Sequence, residues 1–354
     1  MSTTPTTGDS PTRTTGGAGL MAFLRRRARD LAPFVTLVVL FVFFSLATPS
    51  FLNFVNLRNI LAQVSTLAVV STGVTFVLLT AEIDLSIAAV GMMTGVVSAS
   101  LFGRGLRLAD GLFVGGGMEA LGGVLAIAIA LCFSIAIGFL SAVTTTVVGL
   151  PSFMATLAAQ LIALGLAQYF TKGEIIYTLP PLLNELGGEY IGTTEPFRLP
   201  VVVVTAVVVL AIGHFVLTYT KFGRYVYMTG SNREAARLSG IDTNRVVGTC
   251  LMISAGCAGL AGMLNTGRLG SAQGYGLDDM LLDSISAVVL GGTSLFGGQG
   301  GIKNTVIGLL IFGILSNGLN QLQLDIYVRL AIRGVILLIA LIINVYALRL
   351  RQAD

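Results

Sequence analysis

Apolar residues along this chain gather in long, nearly unbroken runs, separated by short stretches that concentrate glycine, proline and charge. The runs cover roughly 32–48, 59–80, 83–102, 121–148, 152–170, 199–220, 246–266, 280–297, 302–320 and 328–348. Most approach the ~20 residues that an α-helix needs to cross the hydrocarbon layer of a bilayer. Strict apolar–polar alternation, the mark of a half-buried strand, is scarce. The Val201–Val204 run is rich in β-branched residues, but it lies inside a longer apolar window and reads as helix. Lipid offers the backbone no hydrogen-bond partners, so such runs must close their bonds internally. The pattern predicts an all-α, polytopic membrane protein with about ten transmembrane helices. The runs divide evenly around the loop 171–198, and each half holds one polar interruption, Ala81–Ser86 and Leu282–Ser286. Two loosely repeated halves of this kind are a transporter trait.

Composition agrees. The chain is 54% hydrophobic and 11% charged, with a mean hydropathy of +0.87, whereas soluble domains run near ~25% charged. That excludes an ordinary water-soluble domain. Glycine supplies 44 of the 354 residues, and small residues let membrane helices approach closely.

Charge placement sets the orientation. A tail over 1–30, rich in Thr, Ser, Gly and Pro, reads as disordered and ends in Arg25, Arg26, Arg27 and Arg29. The apolar stretch Ala32–Leu46 is followed by Thr48-Pro49-Ser50 rather than a small-residue cleavage site, so it reads as a retained first span. The loop 219–245 carries Lys221, Arg224, Arg233, Arg237 and Arg245, while the loop 171–198 carries Glu174, Glu185, Glu189 and Glu195. The excess of Lys and Arg in cytoplasmic loops then puts both termini and the 219–245 loop inside. The permease domain occupies 31–350.

Catalytic chemistry finds little support. A phosphate-binding P-loop needs Lys followed by Ser or Thr, but Lys172, Lys221 and Lys303 are followed by Gly, Phe and Asn. His214 is the single histidine, and Cys132, Cys250 and Cys257 show no paired spacing, so no metal site, cofactor or catalytic triad is expected. If transport consumes ATP, a partner chain must bind and hydrolyse it.

Charged and polar residues inside the apolar runs are the candidate functional groups. A carboxylate near the bilayer centre costs about 2.5–3.5 kcal/mol on insertion scales. Asp84, flanked by Glu82 and Ser86, and Asp283 therefore either line a polar pathway or serve structure. Asp84 or Ser86 can cap a helix start by accepting backbone N–H bonds. Arg333, early in the last run, either pairs with a carboxylate or snorkels outward. In the cytoplasmic loop, Gly230–Gly240 predicts a short exposed helix with Ser231 as N-cap and Glu234 three residues on, a capping box. Such a helix is either a plain connector or a rigid handle for a soluble motor subunit.

Several stretches together resemble the sugar-type permeases of ABC importers, the family of ribose, xylose and galactose permeases. They are Ile83-Asp84-Leu85-Ser86, Pro151-Ser152-Phe153, Gly223-Arg224 with Gly230–Gly240, Asp283–Gly298 with Gly300-Gly301, and Ser316-Asn317-Gly318-Leu319. They occur in the family's order over most of 50–345. The resemblance implies a multi-pass permease subunit of a bacterial plasma (inner) membrane, paired with a second permease subunit as homodimer or heterodimer. It implies cytosolic ATPase subunits that grip the coupling helix near 231–240, and an extracytoplasmic binding protein that delivers a monosaccharide or similar small polar solute. Carried over by position, Asn232, Glu234, Ala235, Ala236 and Gly240 would contact the ATPase, and Asp84 and Ser86 would sit near the translocation pathway, with Glu82 and Asp283 the further pathway candidates. Glu82 departs from the family's usual Gly, and Ile87-Ala88-Ala89 replaces its usual Val-Gly-Ser. A competing expectation is an ion- or proton-coupled secondary transporter, in which Glu82, Asp84 and Asp283 would be proton or cation sites.

Overall fold

The computed structural model describes residues 33–103, 106–109, 112–114, 119–192, 198–276 and 278–352. The expected tail over 1–30 and Glu195 lie outside these residues. The apolar runs appear as helices: α1 (Pro33–Ala47), α2 (Phe54–Leu79), α3 (Ile87–Gly103), α4 (Glu119–Thr146), α5 (Ser152–Thr171), α6 (Pro181–Gly188), α7 (Val201–Tyr219), α8 (Lys221–Ser231), α9 (Arg233–Leu238), α10 (Thr243–Leu269), α11 (Asp278–Leu290), α12 (Ile302–Gln321) and α13 (Ile326–Gln352). Six of them, α2, α4, α5, α7, α10 and α12, are long and apolar enough to cross a membrane, and α1 and α3 are shorter apolar helices.

Several details differ from the sequence pattern. Two small antiparallel ribbons, β1 (Leu106–Ala109) with β2 (Leu112–Val114) and β3 (Tyr190–Ile191) with β4 (Leu199–Pro200), sit in connections between helices, so the fold is mostly rather than wholly helical. The third run becomes helical only at Ile87, because Thr80–Ser86 forms a turn with Ala81 at φ 61°. The eighth stops at Leu290, where Gly292 takes φ +99° and opens a glycine-rich loop. The 219–245 loop holds two helices instead of one. Ser231 ends α8, its hydroxyl donating to the Tyr227 carbonyl (2.8 Å), so the α9 cap moves to Asn232, whose Oδ1 accepts from Ala235 N–H (2.9 Å). The expected N-cap at Ser231 is thus displaced by one residue, and with Ala235 rather than Glu234 at the third helical position no capping box forms. The sequence pattern missed this because α8 runs straight up to the cap with no polar gap.

Helix α10 is central and packs on α2, α3 and α4. The approach to α3 is a backbone contact: a Cβ built on Gly262 would lie 1.9 Å from the Gly91 carbonyl oxygen. Interior and perimeter separate cleanly. In the most apolar stretch of α2, 83% of residues are buried, against 22% in α7. On α7 the residues Val207, Val208, Ile212 and Phe215 all point outward. Aliphatic surface on this scale has no place against water, and is what a lipid-facing helix presents.

The two ends of the bundle carry different connections. At one, the α2–α3 turn meets the N-terminus of α5, the α8–α9 junction and the α11–α12 loop. At the other, Asn56 exchanges hydrogen bonds with Asn317 (3.0 Å each way), Gln321 donates to Asn56 (2.9 Å), and Ile176 bridges to Ala272.

Candidate functional site

The α2–α3 turn is built around Asp84. One carboxylate oxygen accepts from Ser86 N–H (2.9 Å) and Ser86 Oγ (2.6 Å), which turns the chain into α3. Helix α5 holds the turn from outside: Ile83 N–H donates to Ser152 Oγ (3.2 Å) and Leu85 N–H to Thr156 Oγ1 (3.1 Å). Asp84 and Ser86 are both buried. The void beside Asp84, among Val77, Ile83 and Ile285, is about 10 Å³. A site needs roughly 10–15 Å³ to admit even one water, so Asp84 faces no solute-sized space in this conformation. It acts on the turn.

Glu82, two residues earlier, points the other way and accepts from the Arg233 guanidinium at the start of α9. Around this ion pair three segments converge. Gly298 N–H donates to the Leu79 carbonyl (2.9 Å), which ties the α11–α12 loop to the end of α2. Gly230 of α8 lies against the same carbonyl, so closely that a Cβ would sit 1.8 Å from it. The Tyr227 hydroxyl donates to the Gly300 carbonyl (3.0 Å). Burial raises the Tyr227 phenol above its ordinary range, which keeps it a donor. Helix α9 is thereby locked at its base and bare at its tip. Only Ala236 of its residues is buried, Leu238 is 83% exposed, and Gly240 ends the element at φ +82°. Asn232, Glu234, Ala235, Ala236 and Gly240 thus lie together on one projecting element. Sequence reasoning overlooked Leu238, an apolar residue at a polar tip, and Arg233, whose partner is remote in sequence.

Asp283 lies elsewhere. It borders a cavity of about 140 Å³ between α2, α10, α11 and α12, toward the end opposite α9. Its Oδ2 stands 3.7 Å from Arg333 Nη1, and Arg333 also donates to Ser316 Oγ (2.5 Å). Thr66, Asn265 and Ser316 line the same space, with Phe312 as an apolar wall. Arg268 and Asp279 stand exposed at its rim. The structure therefore separates the four pathway candidates. Glu82, Asp84 and Ser86 belong to the turn at the α9 end, and Asp283 belongs to the cavity. Among the described residues no group of three or more His, Cys, Asp or Glu side chains could hold a metal ion.

Apolar helices around a cavity bordered by Asp283, with a braced helix projecting from the far end, define a membrane-embedded transport subunit rather than a soluble enzyme. The chain belongs to the family described as branched-chain amino acid transport system / permease component, which matches residues 56–341. It is similar to the ribose import permease protein of Escherichia coli (strain K12), 34% identical with 92% of this chain and 97% of that protein covered. It is also similar to the ribose import permease protein of Bacillus subtilis (strain 168), at 35% identity over 89% of this chain and 92% of that protein. The D-allose transport system permease protein of Escherichia coli (strain K12) is 31% identical over 88% and 90%. No solved structure matches the chain. The protein is accordingly a permease subunit of the ABC importer class and a multi-pass protein of the inner membrane.

Proposed function

We propose that this chain translocates a monosaccharide, or a similar small neutral polar solute, into the cell, driven by separate cytosolic ATPase subunits that grip α9. The observation that carries this reading is the braced α9. A helix of six residues with a bare apolar tip is ion-paired through Arg233 to the turn that starts α3, so a pull on its tip reaches the spans directly. The sugar assignment is supported by relatives that carry the names of ribose and D-allose transport. In this reading there are ten spans in two loosely repeated halves, both termini are cytoplasmic, and α9 faces the cytoplasm. A second permease subunit completes the path, and an extracytoplasmic binding protein delivers solute at the cavity end. The chain itself needs no cofactor, because ATP is bound by its partner. Asp84 and Ser86 shape the α2–α3 turn beside the inner end of the path, and Glu82 couples that turn to α9.

The test is uptake of labelled D-ribose and D-allose into proteoliposomes holding the permease, its ATPase and its binding protein. Uptake that requires ATP and survives a protonophore is expected. Uptake by the permease alone, driven by a proton or ion gradient, would overturn the reading in favour of a secondary transporter. Thiol labelling of a cysteine placed at Leu238 checks orientation, and labelling from the outer surface would defeat the assignment of α9.

A further inference from the structure

The basic residues of the segment 219–245 divide by partner. Arg233 pairs with Glu82, Arg237 with Glu234 (4.0 Å) and Arg245 with Asp242 (2.8 Å). Lys221 and Arg224 have no acidic partner among the described residues, and both are exposed on α8. They stand at the N-terminal end of that helix, where the aligned peptide dipoles already concentrate positive charge. No acidic residue shares the first turn. Such an arrangement is unfavourable until an anion from outside the chain joins it.

Helix α8 has two opposed faces. Gly223, Val226 and Thr229 are buried, and Phe222 stacks on Phe76 of α2 with ring centres 6.3 Å apart. A Cβ built on Gly223 would lie 2.2 Å from the Leu217 carbonyl oxygen. The first turn of α8 thus packs on the last turn of α7, and Thr220, with extended backbone at φ −98° and ψ 162°, separates the two helices. On the other face Lys221, Arg224, Tyr225 and Met228 are all exposed. Their i, i+3, i+4, i+7 spacing is one helical stripe, about 10 Å long at 1.5 Å per residue.

The surroundings name the occupant. The outward aliphatic surface of α7 ends in Phe215 and Tyr219, both exposed, with rings 5.6 Å apart. Aromatic residues of this kind sit at headgroup level, and Lys221 follows two residues later. A helix that leaves a lipid-facing span at this point, with cations beside Tyr and Met, has the make-up of an interfacial helix. The anion available at that depth is a phospholipid headgroup. The projecting α9, by contrast, keeps Arg233 and Arg237 in ion pairs within the chain.

We propose that the exposed face of α8 is a binding site for anionic phospholipid headgroups of the adjoining leaflet. Lys221 and Arg224 meet the phosphates, and Tyr225 and Met228 rest against the upper acyl chains. The same helix holds the base of α9, through Gly230 against the Leu79 carbonyl and the Tyr227 hydroxyl on the Gly300 carbonyl, so a lipid bound here steadies the platform from which α9 projects. The proposal requires α7 to cross the membrane and stands whichever energy source drives transport.

The chain contains no tryptophan, so Tyr225→Trp places a single indole reporter on this face. The full permease carrying it is reconstituted in phosphatidylcholine bilayers with rising fractions of phosphatidylglycerol brominated near the headgroup end of its chains, which quenches indole on contact. Phosphatidylcholine brominated in the same way gives the reference. Each basic residue near an anionic surface contributes about fivefold, so the two together should favour phosphatidylglycerol about 25-fold. That preference should shrink in raised salt and fall toward parity in Lys221→Gln with Arg224→Gln. Val207→Trp, about 20 Å away along α7, should show no preference. Met228→Trp, on the same stripe as Tyr225, repeats the measurement if Tyr225→Trp does not insert. Equal quenching by the two lipids at the α8 reporter, a preference retained in the double variant, or the same preference at Val207→Trp would overturn the lipid site. So would a double variant that loses co-purification of the ATPase while quenching by the two lipids is unchanged, which would give this face to a protein partner.

Discussion

The ion pair between Glu82 and Arg233 joins two segments 151 residues apart, and its removal should separate energy input from solute movement. The Glu82 side chain is 12% exposed and that of Arg233 45%. Hydrogen bonds to charged groups contribute about 1.5–3 kcal/mol when shielded from water, and exposed ion pairs only about 0.2–1 kcal/mol. With one partner shielded and the other half in water, we place the pair at about 1–2 kcal/mol. At 1.4 kcal/mol per tenfold, Glu82→Ala or Arg233→Ala should undock α9 from the turn by a factor of about 5–30. In proteoliposomes with the ATPase and binding protein, solute moved per ATP hydrolysed should fall by that factor while the permease still inserts. The swap Glu82→Arg with Arg233→Glu should recover most of the loss, giving a coupling energy of about 1–2 kcal/mol in a double-mutant cycle. Raised salt should weaken wild-type coupling, since the Arg233 end is screened. Single variants that transport like wild type, or a swap whose effects merely add, would refute the reasoning.

Other positions give independent checks. Gly262→Ala drives a methyl into the Gly91 carbonyl and should cost about 1–3 kcal/mol or more from overpacking. Thermal denaturation in micelles should show it, with Gly256→Ala, which meets nothing within 4 Å, as the tolerant control. Asp84→Ala removes the acceptor for two Ser86 donors and should destabilise by about 0.5–2 kcal/mol, as lost helix caps do. Asp84→Asn keeps an acceptor and should retain uptake, whereas a proton-coupled transporter would lose it. Leu238→Asp, at a tip 83% exposed, should leave stability within about 0.5 kcal/mol yet abolish co-purification of the ATPase.

How much of this was legible beforehand depends on the range of the forces involved. A helix that crosses lipid must satisfy its own backbone and show apolar side chains along its whole length, so the apolar runs revealed the helices without any knowledge of their neighbours. The absence of a P-loop lysine and the short helix after Gly230 were equally local facts. The late start of α3 at Ile87 arose where a backbone turn depends on hydrogen bonds from elsewhere, here from Ser152 and Thr156 of α5, whereas the cap moved from Ser231 to Asn232 because Ser231 bonds back into α8. Nothing local distinguished Glu82 from Asp84, two carboxylates in one turn. Packing aimed the first at α9 and the second at the base of α3. The cavity was least visible. Its walls come from α2, α10, α11 and α12, and of the polar residues that line it only Asp283 stood out along the chain. Thr66 and Ser316 look like any hydroxyl in an apolar helix, because such a group can always bond its own backbone. Whether it does so or faces a shared space is decided only when four helices meet.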